Sequence, residues 1–383
     1  MTKPLVIVGS GLAGYTVARE FRKLNSDQPL LMITADGGES YSKPMLSNAF
    51  SAGKDKHALG MASAVQMAEK LNATVLTETS VRAIDLHRRQ LLLDGQEVVY
   101  DKLVLALGAS PLKLECAGDA VGEVLQVNNL DDYQRFFVRL QTAKSVLVIG
   151  SGLVGCEFAN DLALGGKQVT LVGRAERPLK RLLPAAIATH LQQKLAQVGV
   201  VWRLSNQVTS INRAAQGYAV RLADGTSLQV DLILSALGLR ANTTLAEQAG
   251  LQTERAICVD RLLCSSQDSV YALGDCAQVD GLHLPFVLPL MKSAQVLANT
   301  LAGTSTEVVY PAMPVAVKTK SVPLVVSPPQ VEKCVLELET LPDGQRALYW
   351  DQNRVLQGFV LSGSCVAEKQ KWVRVLPAWL AQE

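Results

Sequence analysis

A short apolar run, then Gly-x-Gly-x-x-Gly, then apolar residues at helical spacing: this pattern occurs twice in the chain and constrains its fold more than any other feature. Leu5 to Val8 run into Gly9-Ser10-Gly11-Leu12-Ala13-Gly14, after which Val17, Phe21 and Leu24 fall at i, i+4 and i+7, and Leu30–Thr34 forms a second apolar run. At Ser145 the pattern restarts with Val146–Ile149, Gly150-Ser151-Gly152-Leu153-Val154-Gly155, the stripe Val154, Phe158 and Leu162, and the run Val169–Val172. The periodicities predict strand, glycine turn, helix and strand in both places. One such glycine motif is a weak signal, whereas two correctly framed copies are hard to obtain by chance.

In such a unit the first glycine permits the turn, the second lets backbone N–H groups approach a pyrophosphate, and the third lets helix and strand pack closely. The partly positive helix N-terminus then faces the phosphates. Both units therefore predict dinucleotide sites. A carboxylate about 20 residues on normally accepts hydrogen bonds from the adenosine ribose. In the first unit Asp36, just beyond Thr34, is the best candidate, with Glu39 as the second choice. In the second unit the strand ends Leu171-Val172-Gly173-Arg174, with glycine where the carboxylate is expected and Glu176 slightly late. That leaves use of a 2′-phosphorylated dinucleotide open.

Two apolar runs preceded by aspartate, Leu103–Gly108 after Asp101 and Leu232–Gly238 after Asp231, read as buried strands that carry the chain from one domain to another. A third run, Val270-Tyr271-Ala272-Leu273-Gly274-Asp275, puts a carboxylate at its exit. After Pro311 prolines punctuate short β-rich runs such as Val335–Leu338 and Ala347–Trp350, and helical periodicity is scarce. The predicted class is α/β: a discontinuous first Rossmann-like domain (1–112 and 239–310), a second (113–238), and a small C-terminal α+β domain (311–383).

Composition removes several function classes. The chain has 383 residues, 48% hydrophobic and 19% charged with net charge +2, which argues against disorder and gives no whole-chain reason to expect nucleic-acid binding. No apolar run approaches the ~18–20 residues needed to span a bilayer. Only four apolar residues follow Pro4 before glycine, too few for a secretory signal, so the cytoplasm is the expected compartment. The seven cysteines form no Cys-x-x-Cys pair and no metal-ligand cadence with the four histidines. Cys156 and Cys276, each beside a glycine motif, are expected to be packing residues.

With two dinucleotide units, a strand ending Leu105-Ala106-Leu107-Gly108 and the exit Ala272-Leu273-Gly274-Asp275, the chain resembles the flavoprotein reductases of the glutathione-reductase fold along essentially its whole length. Tyr41-Ser42-Lys43-Pro44-Met45-Leu46-Ser47 and Gly155-Cys156-Glu157 are most similar to the rubredoxin-reducing branch, which oxidises NADH in bacterial alkane hydroxylation. The resemblance implies FAD on the first unit and NAD(P)H, NADH favoured, on the second. Electrons would pass from NADH through the flavin, one at a time, to rubredoxin or a similar small acidic iron protein. The acceptor alternatives are a ferredoxin and the rubredoxin-like domain of a nitric-oxide reductase. A flavin-binding redox sensor is the alternative outside catalysis.

The resemblance also implies residue roles. FAD would meet Gly9, Ser10, Gly11, Leu12, Ala13, Gly14, Thr34, Asp36, Lys43, Pro44, Val81, Ala106, Gly108, Gly274 and Asp275. The pyridine nucleotide would meet Gly150, Gly152, Leu153, Val154, Gly155, Glu157, Arg174 and Gly238. Lys43 and Glu157 are implied as a catalytic pair beside the flavin ring, with Lys318 also able to reach it. From the residues alone, Asp275 serves equally well as a helix N-cap, and Lys43 and Glu157 as solvated surface groups. The peroxide-reducing relatives carry a cysteine shortly after the serine matched by Ser47, and here Asn48, Ala49 and Phe50 stand there, so electrons have no thiol relay. Lys318, Lys320, Lys369, Lys371 and Arg374, with Lys43 and Lys292 nearby, are the expected basic docking face.

Overall fold

The structure of the chain, a computed structural model, describes residues 3–381, so positions 1–2 and 382–383 of the expected first and last domains lie outside the described residues. The four-residue apolar runs become strands because they are buried on both faces, as parallel strands flanked by helices must be. The first sheet has the order Val270–Ala272, Lys102–Leu105, Leu5–Val8, Leu30–Ile33, Thr74–Leu76, all parallel. The second has the order Val200–Arg203, Gln168–Val172, Ser145–Ile149, Leu232–Ser235, also parallel. In each, the strand entering the glycine loop lies between the strand that follows it and the strand that returns. The two loops thus sit at equivalent places.

The helices after the loops are Leu12–Leu24 and Leu153–Leu164. Val17, Phe21, Phe158 and Leu162 are buried as their spacing predicts, whereas Leu24 is 53% and Val154 42% exposed. Leu24 is the last residue of its helix and Val154 the second of its own, so each stripe runs out at a helix end. Between the two domains the chain crosses twice, and the crossings pair: Ala109–Pro111 is antiparallel to Leu239–Ala241. Gly108 and Gly238, at φ +65° and +112°, turn the chain into these strands, a backbone region that favours glycine.

The C-terminal sheet is antiparallel, ordered Val315–Val317, Leu324–Ser327, Leu356–Gly363, Gly344–Trp350, Val335–Leu341. One of its faces is not separate from the rest of the molecule. Val317, Leu324, Val326, Ala347 and Val360 join Phe136, Phe158 and Leu171 of the second domain in one apolar cluster. The C-terminal domain is therefore fixed on the second dinucleotide domain by shared burial, at roughly 25 cal/mol per Å² removed from water.

Asp231, at the start of the returning strand, accepts hydrogen bonds from the Lys144 and Ser145 N–H groups at 2.8 Å and from the Ser145 hydroxyl at 3.0 Å. These donors, the Ser145 N–H foremost, hold its carboxyl below the ordinary 3.8. A depressed carboxyl pKa contributes stability that is present above the unfolded value and lost as the pH falls through the folded one. Asp231→Ala should cost about 1–3 kcal/mol at neutral pH, a gap to the parent protein that narrows between about pH 5 and pH 3 in urea titrations. A gap that stays constant or widens in acid contradicts the assignment.

Candidate functional site

The two glycine loops repeat one geometry atom for atom. A Cβ on Gly9 would stand 2.3 Å from the Ala106 carbonyl oxygen, and one on Gly150 would stand 2.4 Å from that of Ala236. On Gly14 or Gly155 it would lie 1.9 Å from the carbonyl oxygen of the loop's own first glycine. Those four positions are closed by the protein itself. Gly11 and Gly152 differ: a Cβ there meets nothing within 4 Å. The middle glycine of each loop thus faces open space, the arrangement required for a bulky group to approach the backbone.

Helix ends give a second test of fit. The helices Ala64–Leu71 and Leu130–Thr142 begin with full capping boxes, on Ser63 with Gln66 and on Asn129 with Asp132, whereas Ala185–Gln197 and Val287–Leu301 begin without a side-chain cap and without a glycine loop before them. The two loop helices begin at Gly11 and Gly152 with no side-chain cap and no acidic residue in the first turn. Their leading N–H groups and positive dipole ends are left for an anion. Both loops fit the pyrophosphate of a dinucleotide.

Around the first loop the expected residues converge. The Thr34 hydroxyl donates to Asp36 Oδ1 at 2.7 Å, the Ser10 hydroxyl donates to it at 3.2 Å and the Gly38 N–H at 3.0 Å. Asp36 Oδ2 carries no hydrogen bond among the described residues and is free for a ribose hydroxyl. Glu39 is engaged instead with Lys56, at 3.0 Å. Val81 is half-buried, and its backbone N–H and C=O make no hydrogen bond among the described residues. Gly274 approaches the loop helix so closely that a Cβ there would lie 3.0 Å from Ala13 Cβ, which brings Asp275 to the first loop. The Asp275 side chain caps no helix, since the short turn Gly274–Cys276 has no side-chain cap. Gly238 stands beside the second loop, following the Ala236 carbonyl that Gly150 approaches.

The implied Lys43–Glu157 pair does not form. Glu157, 1% exposed on the second loop helix, is gripped by Lys318: the Lys318 N–H donates to Oε1 at 2.9 Å and its Nζ to Oε2 at 2.9 Å. The Ser47 hydroxyl donates to Oε2 at 2.5 Å, and Lys318 Nζ also reaches the Pro44 carbonyl at 2.6 Å. Lys318 wins because it follows a strand packed on this helix and presents backbone and ammonium together. Lys43 lies half-buried and makes no ion pair among the described residues. Burial pushes its ammonium pKa down, partly offset by Asp275 and Asp132.

Two neighbours on the same helix face carry functional contacts that the sequence reading missed. Asp161, 2% exposed, accepts from the Phe50 N–H at 2.8 Å and the Ser51 hydroxyl at 2.5 Å, with Lys320 Nζ at 3.6 Å. Asn160, 1% exposed, donates to the Ser321 hydroxyl at 2.5 Å and accepts from the Ser321 N–H at 3.2 Å. Glu157, Asn160 and Asp161 stand at i, i+3 and i+4, one polar face of an otherwise apolar helix. That spacing was the available signal. The face ties the segment 43–51 and the strap 318–321 to the helix that starts at the second loop.

Cys156 and Cys276 are fully buried, and burial raises both thiols, Cys276 to about 11. They are packing groups in this structure, and the cysteines are free. A double-mutant cycle tests the ion-pair assignment. Glu157→Gln with Lys318→Met should show a coupling of about 1 kcal/mol or more in chemical denaturation, and Glu157→Gln with Lys43→Met a coupling near zero. The reverse ranking contradicts the geometry.

Comparisons with known proteins identify the family. Residues 3–300 match the family described as pyridine nucleotide-disulphide oxidoreductase, and residues 307–376 match the rubredoxin binding C-terminal domain. The rubredoxin-NAD(+) reductase of Acinetobacter baylyi is 46% identical over 377 residues, 96% of each chain. The nitric oxide reductase FlRd-NAD(+) reductase of Vibrio vulnificus is 38% identical over 98% of each. Among solved structures, the covalent putidaredoxin reductase–putidaredoxin complex superposes with a TM-score of 0.88 at 26% identity, covering 98% of this chain and 94% of that one. With the family match spanning most of its length, the chain belongs to the pyridine nucleotide-disulphide oxidoreductase family.

Proposed function

We propose that this chain is an FAD-dependent NADH:rubredoxin reductase, which takes a hydride from NADH and delivers single electrons to rubredoxin. The observation that supports it most is the junction at Glu157, where the helix of the second cradle and the segment 43–51 of the first domain meet a strap from the domain of rubredoxin binding type. The nitric-oxide reductase relatives, at lower identity, make a rubredoxin-like domain the second choice of acceptor. No helix among the described residues is long and apolar enough to cross a membrane, and we assign the reaction to the cytoplasm.

When bound, FAD supplies the exchange between a two-electron hydride and single electrons. The N–H groups of Gly11 to Gly14 would hold its pyrophosphate, the Gly9 N–H being spent on the Ile33 carbonyl, with Asp36 Oδ2 at its adenosine ribose, the Val81 backbone at its adenine and Asp275 at its ribitol. Gly108, Ala106 and Pro44 would line the approach to the ring. The loop Gly150–Gly155, with Leu153 and Val154 at the helix start, would hold NADH. Glu157 keeps Lys318 in place across the junction, and the hydrogen bonds of Ser47 and Pro44 fix the segment that carries Lys43. The Lys43 ammonium, buried on the Asp275 side, is the cation we place beside the reacting ring.

The docking face is narrower than the sequence suggested. Lys318 is committed to Glu157, Lys292 and Lys369 are half-buried, and Lys320, exposed, reaches the Ser51 hydroxyl at 2.7 Å with Asp161 at 3.6 Å. Lys371 and Arg374 remain exposed, Lys371 lying 4.4 Å over the Trp372 ring. An acidic partner gains encounter rate from such charges, and salt removes that gain.

Two experiments test this reading. Reversing Lys371 and Arg374 to Glu should raise the KM for rubredoxin roughly three- to tenfold at low ionic strength and leave the rate of flavin reduction by NADH as it was. An unchanged KM removes the docking face. Because burial lowers the Lys43 pKa, its charge is lost as the pH rises through a value below the ordinary 10.5. Flavin reduction should therefore slow along an alkaline limb with its midpoint below 10.5, absent from a slow but flavin-loaded Lys43→Ala variant. The same limb in that variant would remove Lys43 from the site.

A further inference from the structure

Asp275 owes its place to the turn Gly274–Cys276, whose backbone bonds leave one carbonyl to a side chain. Entering the turn, the Leu273 N–H donates to the Leu105 carbonyl at 3.2 Å; leaving it, the Ala277 N–H donates to the Gly274 carbonyl. The Asp275 carbonyl receives no backbone N–H among the described residues. Its partner is the half-buried ring of His283, with Nε2 at 3.1 Å. A carbonyl oxygen only accepts, so Nε2 of His283 carries a proton and donates it.

The chain path delivers that ring. After the strand Ala277–Val279 the backbone reverses over Asp280 and Gly281, at φ +48° and +79°, and Val279 and Leu282 exchange hydrogen bonds of 2.9 and 2.8 Å across the reversal. Asp-Gly suits such a two-residue turn, which needs positive φ at both positions. The turn is itself anchored: the Asp280 N–H donates to the Val259 carbonyl at 2.9 Å, and Arg261 Nε donates to the Asp280 carboxylate at 3.1 Å. His283, the first residue past Leu282, is thereby carried back onto the segment that the chain has just left.

The other walls of the 274–276 turn are apolar. A Cβ on Gly274 would lie 3.0 Å from Ala13 Cβ on the first loop helix and 3.5 Å from Leu290 Cδ1 on the helix Val287–Leu301. Those contacts confine the turn without giving Asp275 a directional bond. His283 gives one. A peptide free to rotate beside Asp275 would also redirect its carboxylate, so the imidazole fixes where that carboxylate points. We propose that His283 is a positioning residue for FAD: its donation to the Asp275 carbonyl holds the Asp275 carboxylate toward the ribitol. This rests on the reading of the first cradle and Asp275 as the flavin site.

The test titrates FAD, and separately ADP, into the flavin-stripped full-length chain by calorimetry. His283→Ala should weaken FAD about three- to tenfold, the range of one hydrogen bond, and leave ADP, which has no ribitol, within about twofold of the parent. His283→Gln, which keeps an N–H donor, should recover part of the FAD affinity. Asp275→Ala should itself weaken FAD, and adding His283→Ala to it should cost less than about twofold more, because the histidine acts through the aspartate. Unchanged FAD affinity in His283→Ala, equal losses for FAD and ADP, or full additivity with Asp275→Ala overturns this inference alone. FAD affinity left intact by Asp275→Ala overturns the ribitol assignment as well, and a parent chain that binds neither ligand overturns the assignment of the first cradle.

Discussion

The arrangement depends on a polar face buried inside an apolar helix. Glu157, Asn160 and Asp161 are each at most 2% exposed, and a carboxylate taken out of water costs several kcal/mol unless it is paired and hydrogen-bonded. Satisfying them requires donors from elsewhere in the chain, and those donors come from two places: the segment 43–51 of the first domain and the strap 318–321 of the last. The desolvation penalty therefore acts as a positional constraint. Three domains must close on one helix, and that helix begins at the second glycine loop.

The loops are organised by the opposite principle, that of groups left unsatisfied. Leu12–Leu24 and Leu153–Leu164 start without a side-chain cap and face open space at Gly11 and Gly152, whereas Ala64–Leu71 and Leu130–Thr142 are closed by capping boxes. One end of the second loop helix thus waits for an anion, and its flank is saturated by protein donors. The cradle and the junction are parts of one rigid element about three turns long.

Much of this was legible in the sequence, and the reasons are local. Glycine spacing, four-residue apolar runs and strand-end glycines are short-range patterns, and they fixed both parallel sheets, the paired crossings near Gly108 and Gly238 and the position of Asp36. The partner of Glu157 was not legible, because Lys318 lies 161 residues away and only packing decides between it and Lys43. The same gap hid Asp161 and Asn160, whose partners also come from remote segments. It also inflated the basic docking face: Lys318 counts as surface charge in the sequence and is an anchor in the fold. Leu24 and Val154 lie on the expected helices but are exposed, because periodicity does not show where a helix ends.

The central claim is that one flavin, held between the two cradles, is reduced by a pyridine nucleotide and reoxidised by an iron protein docked on the last domain. Two-step anaerobic stopped-flow, following the flavin band first against NADH and then against oxidised rubredoxin, measures it directly. The account predicts a yellow protein that loses its colour on the first mixing and regains it on the second, faster at low than at high salt. A colourless protein that takes up no flavin, or a reduced protein that rubredoxin leaves bleached, contradicts it.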